Sequence, residues 1–362
     1  MKYLILLLFL LCFAGCKYTH HNTEFWGKHD NKDVYLYTLT NDNGVSFQIT
    51  NYGGRMVSLM VPDREGKLGD VLLGFDNLEQ YTEPNPAFGM IVGRYANRIR
   101  NAQFSIDSTT YNLTKNAGEH SIHGGGEFGN VVWDGELVTT GEEPALKLHY
   151  ISPNGSHGFP GTLDCYVTYT LTADNSVKIK FEATTDKATH VNMSSHAYFN
   201  LSALKSTIVN HLVRMNADRY TVIDEDIVPT GEIDSVIGKD WDLTKEIELS
   251  ENINKLNHGG YHYNYVFNKP IGLLEEVLSI REPKSGRTLT VSTTQPGVQF
   301  YTGNAISDTF VGKYNIRYGK HMGLCLETQH FPDSPNHGNF PSSLLLPDEK
   351  YEEVVIYKFG VE

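Results

Sequence analysis

At 362 residues the chain is long enough to bury a large core. Its formal charge of −13, from 43 acidic and 30 basic side chains without a basic run, excludes a nucleic-acid surface, because phosphate binding needs a basic patch. The 21 Tyr, 17 Phe and 33 Gly suit a turn-rich all-β protein, and Tyr at that level also suits a sugar surface.

Taken in order, residues 1–16 read as a targeting segment. Lys2 gives the positive start, residues 4–13 the apolar stretch, and Ala14-Gly15 the small residues before Cys16. That stretch is too short to span a bilayer. Residues 11–16 resemble the end of a bacterial lipoprotein signal, in which the Cys is lipidated, although Phe13 replaces the usual aliphatic residue. A plain secretory signal is the alternative. Both place the protein outside the cytoplasm, and the first makes it a membrane-anchored periplasmic lipoprotein whose only membrane contact is the lipid on Cys16. Of four Cys, this leaves Cys165 and Cys325 in apolar strand patterns, able to pair or to stay as buried thiols. Residues 17–32 are polar, with three His, and read as a tether.

From Asp33 the pattern is strand and turn, and residues 33–362 read as one domain. Residues 34–39 lead through Asn41-Asp42-Asn43-Gly44 into residues 45–49, a hairpin. Further short strands are predicted at 56–61, 70–75, 103–106, 133–139, 146–151, 163–172, 177–184, 289–293, 299–301 and 354–359. No sustained helical period occurs; residues 243–256 come nearest and read as a short helix or a loop. Strands without alternating helices predict one large antiparallel β-sandwich.

Gly124 to Gly129 satisfies G-x-G-x-x-G, but Val131-Val132-Trp133 follows as a β pattern where a dinucleotide loop requires a helix. The glycines are instead expected to let backbone approach a ligand, with His123 just ahead of them. His190 and His196, six apart, would share one face of a strand. No Cys or His spacing spells a metal site. Ser194 and Ser195 beside His196 lack the G-x-S-x-G elbow of a hydrolase. Glu327 ends the apolar run Leu324-Cys325-Leu326, and burial there would raise its pKa towards neutrality, as a general base needs. It has no second acid in a comparable setting, so the carboxylate pair of a glycosidase is hard to assemble. The clusters at 93–99, 121–125 and 296–304 add guanidinium, imidazole and amide groups, a composition suited to a neutral sugar.

Together these segments resemble the aldose 1-epimerases, or galactose mutarotases. GRYANRI (93–99), HGG (123–125), HAYFNL (196–201), PGVQFYTGN (296–304) and LETQHFPDSPNHGNFPS (326–342) follow in that family's order, with DVLLGFDNLEQY (70–81) and GFPG (158–161) before a strand. The resemblance implies a mutarotase-type β-sandwich that interconverts α and β anomers of free aldohexoses with neither cofactor nor metal. It also implies roles. Glu327 is the base on the C1 hydroxyl and His196 the acid on the ring oxygen, His123 assists or holds the sugar, and Asn97, Arg98 and Gln299 bind hydroxyls. One departure stands out: the family's G-G-Y-D-H-N is Gly259-Gly260-Tyr261-His262-Tyr263-Asn264 here, so His262 occupies the place of a sugar-binding Asp. A group that must choose between donor and acceptor replaces a pure acceptor, which bears on sugar preference or is offset locally. A sugar-binding lipoprotein with weakened catalysis, and an epimerase of phosphorylated sugars, are the competing readings. The paired acid and base count against the first, the acidic balance against the second.

Overall fold

The computed structural model describes residues 20–362. Three antiparallel sheets carry the fold. The first is a five-stranded meander in chain order: His20–His29, Lys32–Thr40, Ser46–Thr50, Met56–Pro62 and Leu68–Asp70. The second has nine strands, with the C-terminal Tyr351–Val361 between Ser176–Thr185 and Arg287–Thr293. The third has six, in the order Tyr198–Phe199, Leu324–Gln329, Gly297–Tyr301, His262–Val266, Arg219–Ile223, Pro229–Ser235. Among the described residues the one α-helix is the short Leu78–Thr82, capped by Asn77, whose side chain accepts from the Gln80 N–H at 3.1 Å.

Period-two alternation builds the core. On Leu163–Leu171 the side chains of Cys165, Val167 and Tyr169 turn inward, and Phe181, Val291 and Tyr357 meet them from neighbouring strands. Phe47 and Leu59 close the same core from the meander, Phe300, Leu324 and Leu326 from the six-stranded sheet. All six residues of Leu324–Gln329 are buried. Leu324 and Leu326 face that core, so Cys325, Glu327 and Gln329 face the other way. Strand geometry alone therefore aims Glu327 away from the core.

The structure corrects two expectations. The polar stretch read as a tether is, from His20 onward, an edge strand: His20–His29 pairs with Lys32–Thr40, and Trp26 packs on Tyr81 with ring centroids 5.8 Å apart. Its polarity is what an edge strand shows to water, so composition alone could not separate the two. Cys12, Cys16 and residues 17–19 lie outside the described residues. The apolar 70–75 run is buried, but beyond Asp70 it makes only an isolated bridge, Leu72 to Phe199. Residues 243–256, expected as a short helix or a loop, are loop around the two-residue edge strand Ile247–Glu248 and a 3₁₀ turn at Leu249–Glu251. Cys165 and Cys325 are both free and buried.

Candidate active site

Glu327 sits on Leu324–Gln329 directly opposite Gln299 of Gly297–Tyr301, which in turn faces Asn264. The Glu327 carboxyl is almost fully buried, and its Oε2 has no hydrogen-bond partner among the described residues. Burial pushes its pKa up to about 8, with the Arg98 guanidinium pulling the other way.

His196 lies between the bridge strand Ser194–Ser195 and Tyr198–Phe199. Its backbone is fixed on both sides: its N–H donates to Met90 O at 2.8 Å, and its carbonyl accepts from Gly89 N–H at 3.1 Å. The ring is buried, which lowers its pKa to about 4. Its Nε2 is 3.8 Å from Glu327 Oε1. With the carboxyl's pKa raised and the imidazole's lowered, this 3.8 Å approach brings together two neutral groups and not an ion pair, at a separation longer than a direct hydrogen bond. That conclusion rests on burial, the first cause of both shifts.

His123 and Asn97 hold each other. The Asn97 N–H donates to His123 Nδ1 at 3.2 Å and the His123 N–H donates to Asn97 O at 3.0 Å, with both residues at positive φ (51° and 64°). The Asn97 side chain caps its own turn, Oδ1 accepting from Arg98 N–H at 2.8 Å. The His123 ring stands edge-on to His196 at 5.2 Å. Because His123 Nδ1 accepts a hydrogen bond, the neutral ring carries its proton on Nε2 and is a donor. Donor atoms of His123, His196 and Glu327 do lie within 4.8 Å of one another. A cation there would have to displace either the His123 ring proton or its bond from Asn97, so the donor set does not suit a metal.

These groups line a cleft of about 450 Å³, together with Arg98, His262, Tyr198, Tyr301, Phe310 and the Pro84-Asn85-Pro86 rim. His262 is opposite Tyr301 in register, with its ring 4.8 Å from the tyrosine ring. Burial, reinforced by Arg98, lowers its pKa to about 3, so it meets a ligand as a neutral donor–acceptor. The arrangement offers one acid–base pair, a cation, amides and aromatic faces, which is chemistry for proton transfer on a neutral polyhydroxylated ring.

Of the residues singled out from sequence, Glu327, His196, His123, Asn97, Arg98 and His262 converge on this cleft. Gln299 is buried beside Glu327 on the same face, one strand over. His190 does not join them. Its strand, Thr189–His190, pairs with Leu344–Leu345, whereas Ser194–Ser195 pairs with Ile91–Val92, so the chain breaks between them and the six-residue spacing loses its meaning. Ser194 Oγ donates to Thr328 O and Ser195 Oγ to Met56 Sδ, which leaves neither hydroxyl for His196. The glycines after His123 serve close approach of protein to protein: a Cβ on Gly124 would stand 2.2 Å from Arg94 N, and one on Gly125 would meet the His157 ring. Tyr198 and Tyr301 went unnoticed in the sequence, although each lies two residues from a predicted site residue and so on its face. Phe310 and the 84–86 rim arrive from distant segments that no periodicity marks.

Comparison with known proteins gives a consistent result. The sequence profile of the aldose 1-epimerase family matches residues 35–358. A galactose mutarotase of Mus musculus is 41% identical, covering 91% of this chain and 94% of its own. An aldose 1-epimerase of Haemophilus influenzae is 35% identical, over 85% of this chain and 90% of its own. Among solved structures, a galactose 1-epimerase of Lactobacillus acidophilus superposes with a TM-score of 0.84 at 27% identity, covering 95% of this chain and 99% of its own. An aldose epimerase homologue from C. elegans superposes at 0.83 with 28% identity, over 90% of this chain and 98% of its own.

Proposed function

The chain belongs to the aldose 1-epimerase family, and on that premise we propose that it interconverts the anomers of free aldohexoses by passing one proton between Glu327 and His196. The observation that carries this reading is the 3.8 Å approach of a buried carboxyl and a buried imidazole on the floor of a sugar-sized cleft.

The step balances as follows. Ionised Glu327 takes the proton of the C1 hydroxyl, and the C1–O5 bond breaks with its electron pair going to O5. O5 takes the Nε2 proton of His196, and C1=O1 becomes the aldehyde. Rotation about C1–C2 presents the other carbonyl face to O5–H. Reclosure returns one proton to His196 and the other to O1. Beside the open-chain aldehyde the pair therefore consists of a protonated Glu327 and a neutral His196. That is the protonation state burial favours in the empty site, so the site is electrostatically matched to the high-energy intermediate. His123 Nε2–H and Arg98 supply fixed donors to oxygens of the ring, and Tyr301 and Phe310 supply apolar contact. The test is polarimetry on freshly dissolved α-D-galactose and α-D-glucose. Acceleration of either supports the reading, and a folded protein that speeds neither overturns it.

Galactose is the sugar named for several relatives, and we extend it to this chain with a qualification from His262. A carboxylate there would accept from two hydroxyls; a neutral imidazole accepts from one and donates through the other nitrogen. His262→Asp is expected to raise the galactose-to-glucose ratio of kcat/KM by roughly ten-fold, the value of one charge-assisted hydrogen bond. An unchanged ratio would assign position 262 to packing alone.

We further propose that residues 1–16 direct export and that Cys16 carries the lipid, on the strength of the Lys2, apolar and Ala14-Gly15-Cys16 pattern. Cys16→Ser should move the protein from the membrane fraction to the soluble fraction of the cell envelope. Wild type lacking any acyl mass would refute the anchor.

A further inference from the structure

Alternation on Leu324–Gln329 places Cys325 on the face that carries Glu327. Cys325 is fully buried, and its Sγ lies 3.6 Å from His196 Nδ1, the ring nitrogen that does not face Glu327. Tyr198, two residues beyond His196, is paired with Cys325 in register, and its ring packs 5.1 Å from the imidazole. The imidazole is thus held between a carboxyl at one nitrogen and a thiol at the other.

We propose that Cys325 is a positioning residue: its sulfur accepts a hydrogen bond from His196 Nδ1–H and so fixes the tautomer in which Nε2 is free to give and take the ring-oxygen proton. This rests on the reading of His196 as the acid of the pair. The reaction demands one particular neutral form. Once His196 has protonated O5, its remaining proton must be on Nδ1, or Nε2 could not recover the proton on reclosure. Left alone, a neutral imidazole can carry its proton on either nitrogen, and the partner of one nitrogen decides the state of the other. Sulfur is a weak acceptor, but its reach suits 3.6 Å, where an N–H···O bond would be too long.

A thiol also explains what the partner is not. A carboxylate on Nδ1 would stabilise the imidazolium and hold the shared proton on His196. Burial keeps the Cys325 thiol un-ionised, so it orients the ring without adding charge. The pair's proton then stays with Glu327 in the empty site, as the intermediate requires. The converse arrangement, S–H donating to Nδ1, would leave the proton on Nε2 and block its return.

The decisive measurement is ¹⁵N NMR of histidine-labelled protein, with the His196 signals assigned by their loss in His196→Asn. Wild type is expected to show a protonated Nδ1 and an unprotonated Nε2, a reading that needs no substitution at Cys325. Cys325→Ala is expected to move the proton to Nε2 and to lower kcat roughly ten-fold with KM little changed; Cys325→Ser, whose oxygen falls short of the reach of sulfur, should restore neither. Protonated Nε2 in wild type, or a Cys325→Ala protein with unchanged tautomer and kcat, would overturn the proposal. Failure of the underlying reading is distinguishable, because His196→Asn would then retain activity whatever the tautomer.

Discussion

Glu327→Gln is expected to remove at least 10²–10⁴-fold of kcat/KM towards any aldose the protein accepts, the scale of one positioned general base. The amide has the shape of the neutral carboxyl that burial favours, so the cleft should keep its form and its sugar contacts, and the loss should fall on kcat. Stability should move in the other direction at alkaline pH. The pKa of Glu327 is raised in the fold, so its contribution is fully present below the ordinary carboxylate range and is lost as pH rises through about 8. Each unit of that shift is worth about 1.4 kcal/mol, so above pH 8 the Gln variant should melt at a higher temperature than wild type. Thermal melts at pH 6 and pH 9 read this sign directly. Equal melting differences at both would show that Glu327 is not the buried neutral acid described above.

The second large effect concerns the single proton that the pair must hold. In the free protein kcat/KM should be flat between two limbs, falling above about pH 8 as Glu327 loses the proton and below about pH 4 as His196 gains a second one. The groups facing the pair do not add limbs between these. Arg98 stays charged, His123 and His262 are held neutral by burial, and burial raises the phenols of Tyr198 and Tyr301 and the thiol of Cys325. His196→Asn should cost ~10²–10⁴-fold, abolish the acid limb and replace the alkaline fall by a rise through about pH 8, because Glu327 alone must then be ionised to act as base. Retention of the acid limb in that variant would assign it to another group, and the acid role of His196 would fall.

The sandwich and most of the cleft could be read from the sequence because both follow from local rules. Alternation holds over Leu163–Tyr169 and Val177–Ala183, where one face meets the core, and Glu327 announced itself as a carboxylate terminating an apolar run. The lipophilic and polar faces of Leu324–Gln329 then placed it. What escaped had a common cause. His190 and His196 share a parity only if one strand joins them, and the chain instead changes partners at residue 191, a tertiary event. The strand His20–His29 carries its information in backbone pairing and in one side chain, Trp26, against a background of His, Asn, Thr and Lys that reads as solvent-loving. Cys325 was visible as an apolar strand residue. Its relation to His196 depends on a pairing across 129 positions of sequence.

The strand pairing that runs from His20 bears on how the enzyme would stand at a membrane. With lipid on Cys16 as proposed, four peptide steps separate the anchor from the paired residue His20, a reach of at most about 14 Å. A catalyst on so short a lead would be held close to the bilayer, with the edge strand His20–His29 nearest the anchor. Trp26 of that same strand braces Tyr81, next to the Pro84-Asn85-Pro86 edge of the cleft. The anchored edge and the rim of the cleft would then lie within one packed region, and the lipid would limit how far the cleft can travel from the bilayer.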